Sequence, residues 1–145
     1  MKILVADDNA DFRTLAKRWI GRINPQAEVI EAASGREALA LVERERPDMA
    51  LLDYQMPGCT GIQVGRRCQE VGIPYHVVSS TVPLSPGAQR EVVNKDSVPE
   101  LLIDWIADAG RGALSTKPPD RRGMVLLAPG VVAAVGVLLI LLGWV

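Results

Sequence analysis

Residues 47–61, Pro-Asp-Met-Ala-Leu-Leu-Asp-Tyr-Gln-Met-Pro-Gly-Cys-Thr-Gly, constrain the fold more than any other stretch of this chain. Met49, Ala50, Leu51 and Leu52 form a short apolar run, bounded by Pro47 before it and by Pro57-Gly58 after it. A strand buried on both faces reads this way, because it loses the apolar/polar alternation of a half-exposed strand. Such strands belong to parallel sheets that helices cover on both sides. Asp53 closes the run, so its carboxylate stands at the C-terminal end of a central strand, where chemistry gathers in open parallel sheets. Aspartate also begins turns; by itself, Asp53 fits a reactive group and a turn former equally well.

The neighbouring segments supply the rest of such a sheet. Ile3-Leu4-Val5-Ala6 is a second short apolar strand, and it ends in Asp7 and Asp8. Phe12, Leu15, Ala16, Trp19 and Ile20 then recur at helical spacing as one apolar stripe, with Gly21 and Asn24-Pro25 as the expected stop. Residues 28–32 read as a strand, and Ser34 with Glu37 forms a capping box that opens a helix to about Arg46. After Asp53, a helix is expected from about Gly61 to Glu70, then a break at Gly72-Ile73-Pro74. A strand over 75–78 follows, ending in Ser79, Ser80 and Thr81. Pro83, Pro86 and Gly87 forbid a regular helix over 82–90. Glu91 to Asn94 is a short strand that delivers Lys95. Ser97 and Glu100 read as a second capping box, for a helix with the stripe Leu101, Leu102, Trp105, Ile106 and Ala109 and Gly110 as its stop. Strands alternating with helices predict an α/β fold with a doubly wound parallel sheet.

Composition divides the chain. Sixteen basic and 17 acidic residues leave a net charge of −1, and the first 110 residues carry no basic stripe, so no nucleic-acid partner is expected. Cys59 and Cys68 lack metal-ligand spacing and read as reduced cytosolic thiols. His76 is the one histidine and reads as a packed strand residue. Residues 124–145 contain no charged side chain, and as a helix their 22 residues would reach ~33 Å, enough for a bilayer core. Arg111, Lys117, Arg121 and Arg122, with Pro118-Pro119 among them, make residues 111–123 a basic linker whose flank stays cytoplasmic. The expected organisation is a cytoplasmic domain over 1–110, this linker, and a single-pass C-terminal membrane anchor over 124–145, with no output domain.

Asp7, Asp8, Asp53, Ser79 and Lys95 each close a strand or open its following loop, so they converge on one edge of the sheet. Carboxylates on adjacent strand ends lie ~5 Å apart and repel by ~3 kcal/mol per pair at an effective dielectric of 20. A cation or a proton must offset that, and oxygen donors suit Mg²⁺ or Mn²⁺. A lysine and a hydroxyl are the partners a phosphoryl group on Asp53 would need.

Asp7-Asp8, Asp53-Tyr54-Gln55-Met56-Pro57-Gly58 with Gly61, Ser79 five places after Pro74, and Lys95 together resemble the receiver domains of bacterial response regulators, the CheY-like family. The resemblance covers residues 1 to about 110. It implies a flavodoxin-like fold with five strands in the order 2-1-3-4-5. It also implies phosphorylation of Asp53 by a sensor histidine kinase or a histidine phosphotransfer protein. Mg²⁺ would be held by Asp8, Asp53, the backbone carbonyl of Gln55 and, partly through water, Asp7. Ser79 would bond the phosphoryl group and Lys95 would pair with it. Such a protein is not an enzyme beyond slow self-phosphorylation and self-dephosphorylation at Asp53, and it acts through a downstream protein. The chain departs from the family pattern in four places. The fourth helix is missing or degenerate, the interval from Ser79 to Lys95 is short, Asp96 stands where proline is common, and Val92 lies near the place of an aromatic switch residue. An alternative is a membrane-anchored docking module without phosphotransfer. An aspartyl-nucleophile hydrolase is disfavoured, because Gln55 occupies the position of its second carboxylate.

Overall fold

The structure, a computed structural model, describes residues 1–81 and 92–111. The strands β1 (Lys2–Ala6), β2 (Glu28–Ala32), β3 (Met49–Asp53), β4 (Tyr75–Ser79) and β5 (Val92–Asn94) form one parallel sheet in the order β2-β1-β3-β4-β5. Four α-helices lie among the described residues: α1 (Ala10–Ile23), α2 (Gly35–Glu45), α3 (Gly61–Glu70) and α4 (Val98–Gly110). This is the expected flavodoxin-like arrangement. All of β3 is buried, as its unbroken apolar run requires. The strand order reverses between β1 and β3, whose register sets Ala6 beside Leu52. Their C-terminal ends therefore flank the crevice where ligands bind in such sheets.

Successive side chains of a strand point to opposite faces, and β1 divides its apolar residues accordingly. Ile3 and Val5, with Met49, Leu51 and Val78, pack under Ala16 and Ile20 of α1 and under Leu102, Trp105 and Ile106 of α4. Leu4 and Ala6, with Ala50 and Leu52, pack under Ala38, Leu41 and Val42 of α2 and under Val64 and Cys68 of α3. His76 stacks on Trp105 with ring centroids 3.8 Å apart and planes 10° from parallel, the packed strand histidine expected. Burial lowers its pKa to about 4, although Asp108 acts the other way.

Helix ends differ from expectation at several points. α1 runs through Gly21 to Ile23, and the amide of its C-cap, Asn24, donates to the Ile20 carbonyl at 2.8 Å. A helical glycine costs about 1 kcal/mol relative to alanine, less than burying Ala16 and Ile20 returns. Leu15 is not part of the buried stripe: it is 41% exposed. Trp19 is half-buried, and its ring meets Phe12 edge-on at 6.2 Å. Ser34 caps α2 through the Glu37 amide at 3.2 Å, but the Glu37 carboxylate takes the Ala33 amide at 2.8 Å, one residue earlier than a strict capping box. The expected second capping box does not form. Lys95–Ser97 is already a 3-10 turn, so Ser97 has helical backbone angles rather than the extended ones a cap needs, and its side chain makes no capping bond. Asn94 caps that turn instead, accepting from the Asp96 amide at 2.8 Å. α4 includes Gly110 and ends at Arg111.

The irregular segment expected over 82–90, with its bearing on the missing helix, lies outside the described residues. So do all of the 111–123 linker after Arg111 and the apolar segment 124–145. Among the described residues, no helix is long and apolar enough to cross a membrane.

Candidate functional site

β1 presents Asp7 and Asp8 at its end, and the chain turns into α1 at once. Asn9 makes that turn possible: its side chain accepts from the amides of Asp11 at 2.9 Å and Phe12 at 3.3 Å, satisfying the free donors of the first helical turn. Asp7 is fully buried; its amide donates to the Ala32 carbonyl at 3.0 Å, and its Oδ1 accepts from the Asn9 amide at 2.9 Å. Asp53 ends β3. The loop after it closes tightly, with the Gly61 amide donating to the Tyr54 carbonyl at 3.1 Å. A Cβ at Gly61 would run into the Asp53 carbonyl oxygen, so glycine there allows α3 to start against the end of β3. Thr60 and Gln63 form a full capping box at that start.

Lys95 reaches into the cluster from the end of β5. Its ammonium lies 2.6 Å from Asp7 Oδ2, 2.9 Å from Asp53 Oδ1 and 4.4 Å from the centre of the Phe12 ring. The carboxylates of Asp7, Asp8 and Asp53 offer oxygen atoms that all lie within 4.8 Å of one another. Asp7, Asp8, Asp53 and Lys95 are thus brought together as expected. Ser79 is buried at the end of β4, next to β3, where its Oγ accepts from the Thr81 amide at 3.2 Å. Gln55 is exposed, two residues beyond Asp53 in the loop.

The electrostatics follow from this crowding. Burial raises the Asp53 pKa above the ordinary carboxylate value; Lys95 pulls it down, while the charges of Asp7 and Asp8 push it up further. Burial works against the charged form of Lys95, but its contacts with Asp7 and Asp53 outweigh this and raise its pKa. The cluster remains one cation short among the described residues. The buried Asp7 Oδ2 meets the Lys95 ammonium at 2.6 Å and accepts no further hydrogen bond among the described residues. Three carboxylates that share one ammonium, with an oxygen of each within 4.8 Å of the others, fit a hard divalent cation.

Residues 3–96 match the response regulator receiver domain family. The chain belongs to that family. The receiver is 35% identical over 80 residues to the sporulation initiation phosphotransferase F of Bacillus subtilis, covering 55% of this chain and 63% of that one. It is 37% identical over 83 residues to a positive alginate biosynthesis regulatory protein of Pseudomonas aeruginosa, covering 56% of this chain and 33% of that one. Among the relatives it also matches, it spans 56% of a Mycobacterium tuberculosis transcriptional regulatory protein; the chain thus covers about half the length of such relatives. The signal receiver domain of NarL from that organism superposes with a TM-score of 0.62 at 29% identity, over 77% of this chain and 96% of that one. A CheY-like receiver from Methanospirillum hungatei superposes with a TM-score of 0.65 at 22% identity, over 77% and 94%, a likeness of fold alone. Receiver domains bind Mg²⁺ at an acidic pocket, here that of Asp7, Asp8 and Asp53.

Several residues that shape the pocket escaped the sequence reading. Asn9 stands at the N-cap position and Thr60-x-x-Gln63 has capping-box spacing, so both carried a readable signal. The Phe12 ring under Lys95 and the Arg13 side chain, which donates to the Asp7 carbonyl at 2.7 Å, did not. Their contacts depend on where β5 and β1 end relative to α1.

Proposed function

We propose that this receiver accepts a phosphoryl group on Asp53 from a phosphohistidine of a sensor histidine kinase or a phosphotransfer protein. One observation carries the reading: Asp53 and Asp7 share the Lys95 ammonium at 2.9 and 2.6 Å, with Asp8 completing an acid cluster that is still short of positive charge. Asp8, Asp53, the Gln55 carbonyl and, through water, Asp7 would hold Mg²⁺. When bound, that ion neutralises phosphoryl oxygens. A carboxylate oxygen of Asp53 attacks phosphorus; the new P–O bond replaces the P–N bond of the donor, whose imidazole leaves with the electron pair. Lys95, already held by two carboxylates, is placed to pair with the incoming phosphoryl charge. Ser79 supplies a hydroxyl at the adjacent strand end. The product is an acyl phosphate whose effect passes to a downstream protein.

The same proposal places the receiver on the cytoplasmic side of a membrane, anchored by residues 124–145. Its support is the uncharged 22-residue run and the basic flank before it.

Phosphoramidate labelling tests the chemistry. Intact mass should show one phosphoryl group on the wild-type chain with Mg²⁺, none in EDTA and none on Asp53→Asn. Labelling of Asp53→Asn equal to that of the wild type refutes the assignment, and a wild-type chain that takes no label with Mg²⁺ leaves the docking-module alternative.

A further inference from the structure

Arg13 lies one helical turn beyond the cap Asn9, and its side chain is only 17% exposed. Its Nη1 donates to the main-chain carbonyl of Asp7 at 2.7 Å, and its Nε donates to Glu31 Oε1 at 3.3 Å. Glu31 also draws the Lys17 ammonium to 3.5 Å. It belongs to β2, beside β1, one residue before Ala32, whose carbonyl accepts from the Asp7 amide. A guanidinium can serve two acceptors at once because its donors are fixed in one rigid plane.

The carbonyl that Arg13 holds is part of the peptide joining Asp7 to Asp8. Asp8 is exposed, and among the described residues no hydrogen bond ends on its carboxylate. No side-chain partner places that carboxylate, so the main chain fixes where its Cβ stands, and Arg13 bonds the peptide plane leading into it. Charge matters as well. A bare guanidinium beside the pocket would repel a divalent cation, and Glu31 neutralises it where it stands.

We infer that Arg13, held in place by Glu31, is a positioning residue that orients Asp8 as a metal ligand. The inference rests on the Mg²⁺ site of the proposed function. Loss of an outer-shell contact of this kind weakens metal binding by roughly 10–100-fold.

The test uses the full chain in mild detergent, with calorimetric titration of MgCl₂ and thermal unfolding in EDTA. Arg13→Lys keeps the charge but cannot span both acceptors. Its Mg²⁺ affinity should fall about tenfold, read on protein that a cooperative unfolding transition in EDTA shows to be folded. Glu31→Gln leaves Arg13 and Lys17 unneutralised; its affinity should also fall, with a steeper dependence on ionic strength. An Arg13→Lys dissociation constant within about twofold of wild type, well short of the outer-shell range, overturns the inference, whether or not the unfolding temperature drops. Should Arg13→Lys fail to fold, an unchanged affinity in Glu31→Gln overturns it instead. A wild-type chain that binds no Mg²⁺ overturns the metal site itself and this inference with it, so the wild-type titration tells the two failures apart.

Discussion

Lys95→Met removes the cation from a cluster of carboxylates while keeping most of the apolar stem. In the native pocket the ammonium sits 2.6 Å from Asp7 and 2.9 Å from Asp53. At an effective dielectric of 20 each contact is a gross attraction of about 6 kcal/mol, most of which offsets the cost of burying the charges. Removing one partner leaves buried carboxylates unpaired, which costs about 3–5 kcal/mol, a large part of the 5–15 kcal/mol that holds an ordinary domain. The variant has two ways to recover: protonation of Asp53, whose pKa burial already raises, or a divalent cation. In EDTA at neutral pH, urea unfolding followed by Trp19 and Trp105 fluorescence should therefore show a loss of about 3 kcal/mol. Saturating Mg²⁺ should restore more stability to the variant than it adds to the wild type, because in the variant it meets no competing ammonium. A loss that is the same in EDTA and in Mg²⁺ would show that Lys95 and the metal do not share the carboxylates, and the account of the pocket would be wrong.

Two further outcomes are expected. His76 is held neutral against Trp105 with its pKa lowered to about 4 from the ordinary 6.5, so above pH 6.5 both folded and unfolded states carry it uncharged. As pH falls from 6.5 toward 4 the unfolded state alone gains the proton, and up to about 3 kcal/mol of stability is lost across that window. His76→Phe keeps the stack, so the difference in urea stability between wild type and variant should change over pH 6.5 to 4 and be constant above it; parallel profiles would refute the buried neutral imidazole. For the membrane anchor, carbonate extraction should leave the full chain in the membrane fraction and release a chain cut after Arg122. Release of the intact chain would rule out a spanning segment.

The division between what was legible and what was not follows the range of the interactions. Strand β3 was readable because a strand buried on both faces must be apolar throughout, a requirement each residue from Met49 to Leu52 meets on its own. The positions of Asp7, Asp8 and Asp53 at strand ends were readable for the same reason, while Lys95 was placed by the shorter, partly buried run Val92-Val93-Asn94 before it. Caps are also local, and Ser34 was found where it acts. The second expected cap failed because the same local pattern, Ser97 with Glu100, is compatible with a chain that has already begun to coil; the turn from Lys95 decided it. Leu15 fits the stripe of α1 by spacing, yet the face of α1 that meets the sheet buries Ala16 and Ile20 and leaves Leu15 exposed.

Among the described residues, the sequence by itself determined the strands and α-helices, their succession along the chain and which side chains stand at strand ends, because each of these follows from contacts within a few residues. Only the tertiary structure decided that Lys95 bridges Asp7 and Asp53, and that Arg13 bonds the Asp7 carbonyl while Glu31 holds it. Those distances depend on the parallel register of β2, β1 and β3 and on where β5 stops against α1. They join residues as far apart as Asp7 and Lys95, and no local pattern encodes a spacing set by the packing of the whole sheet.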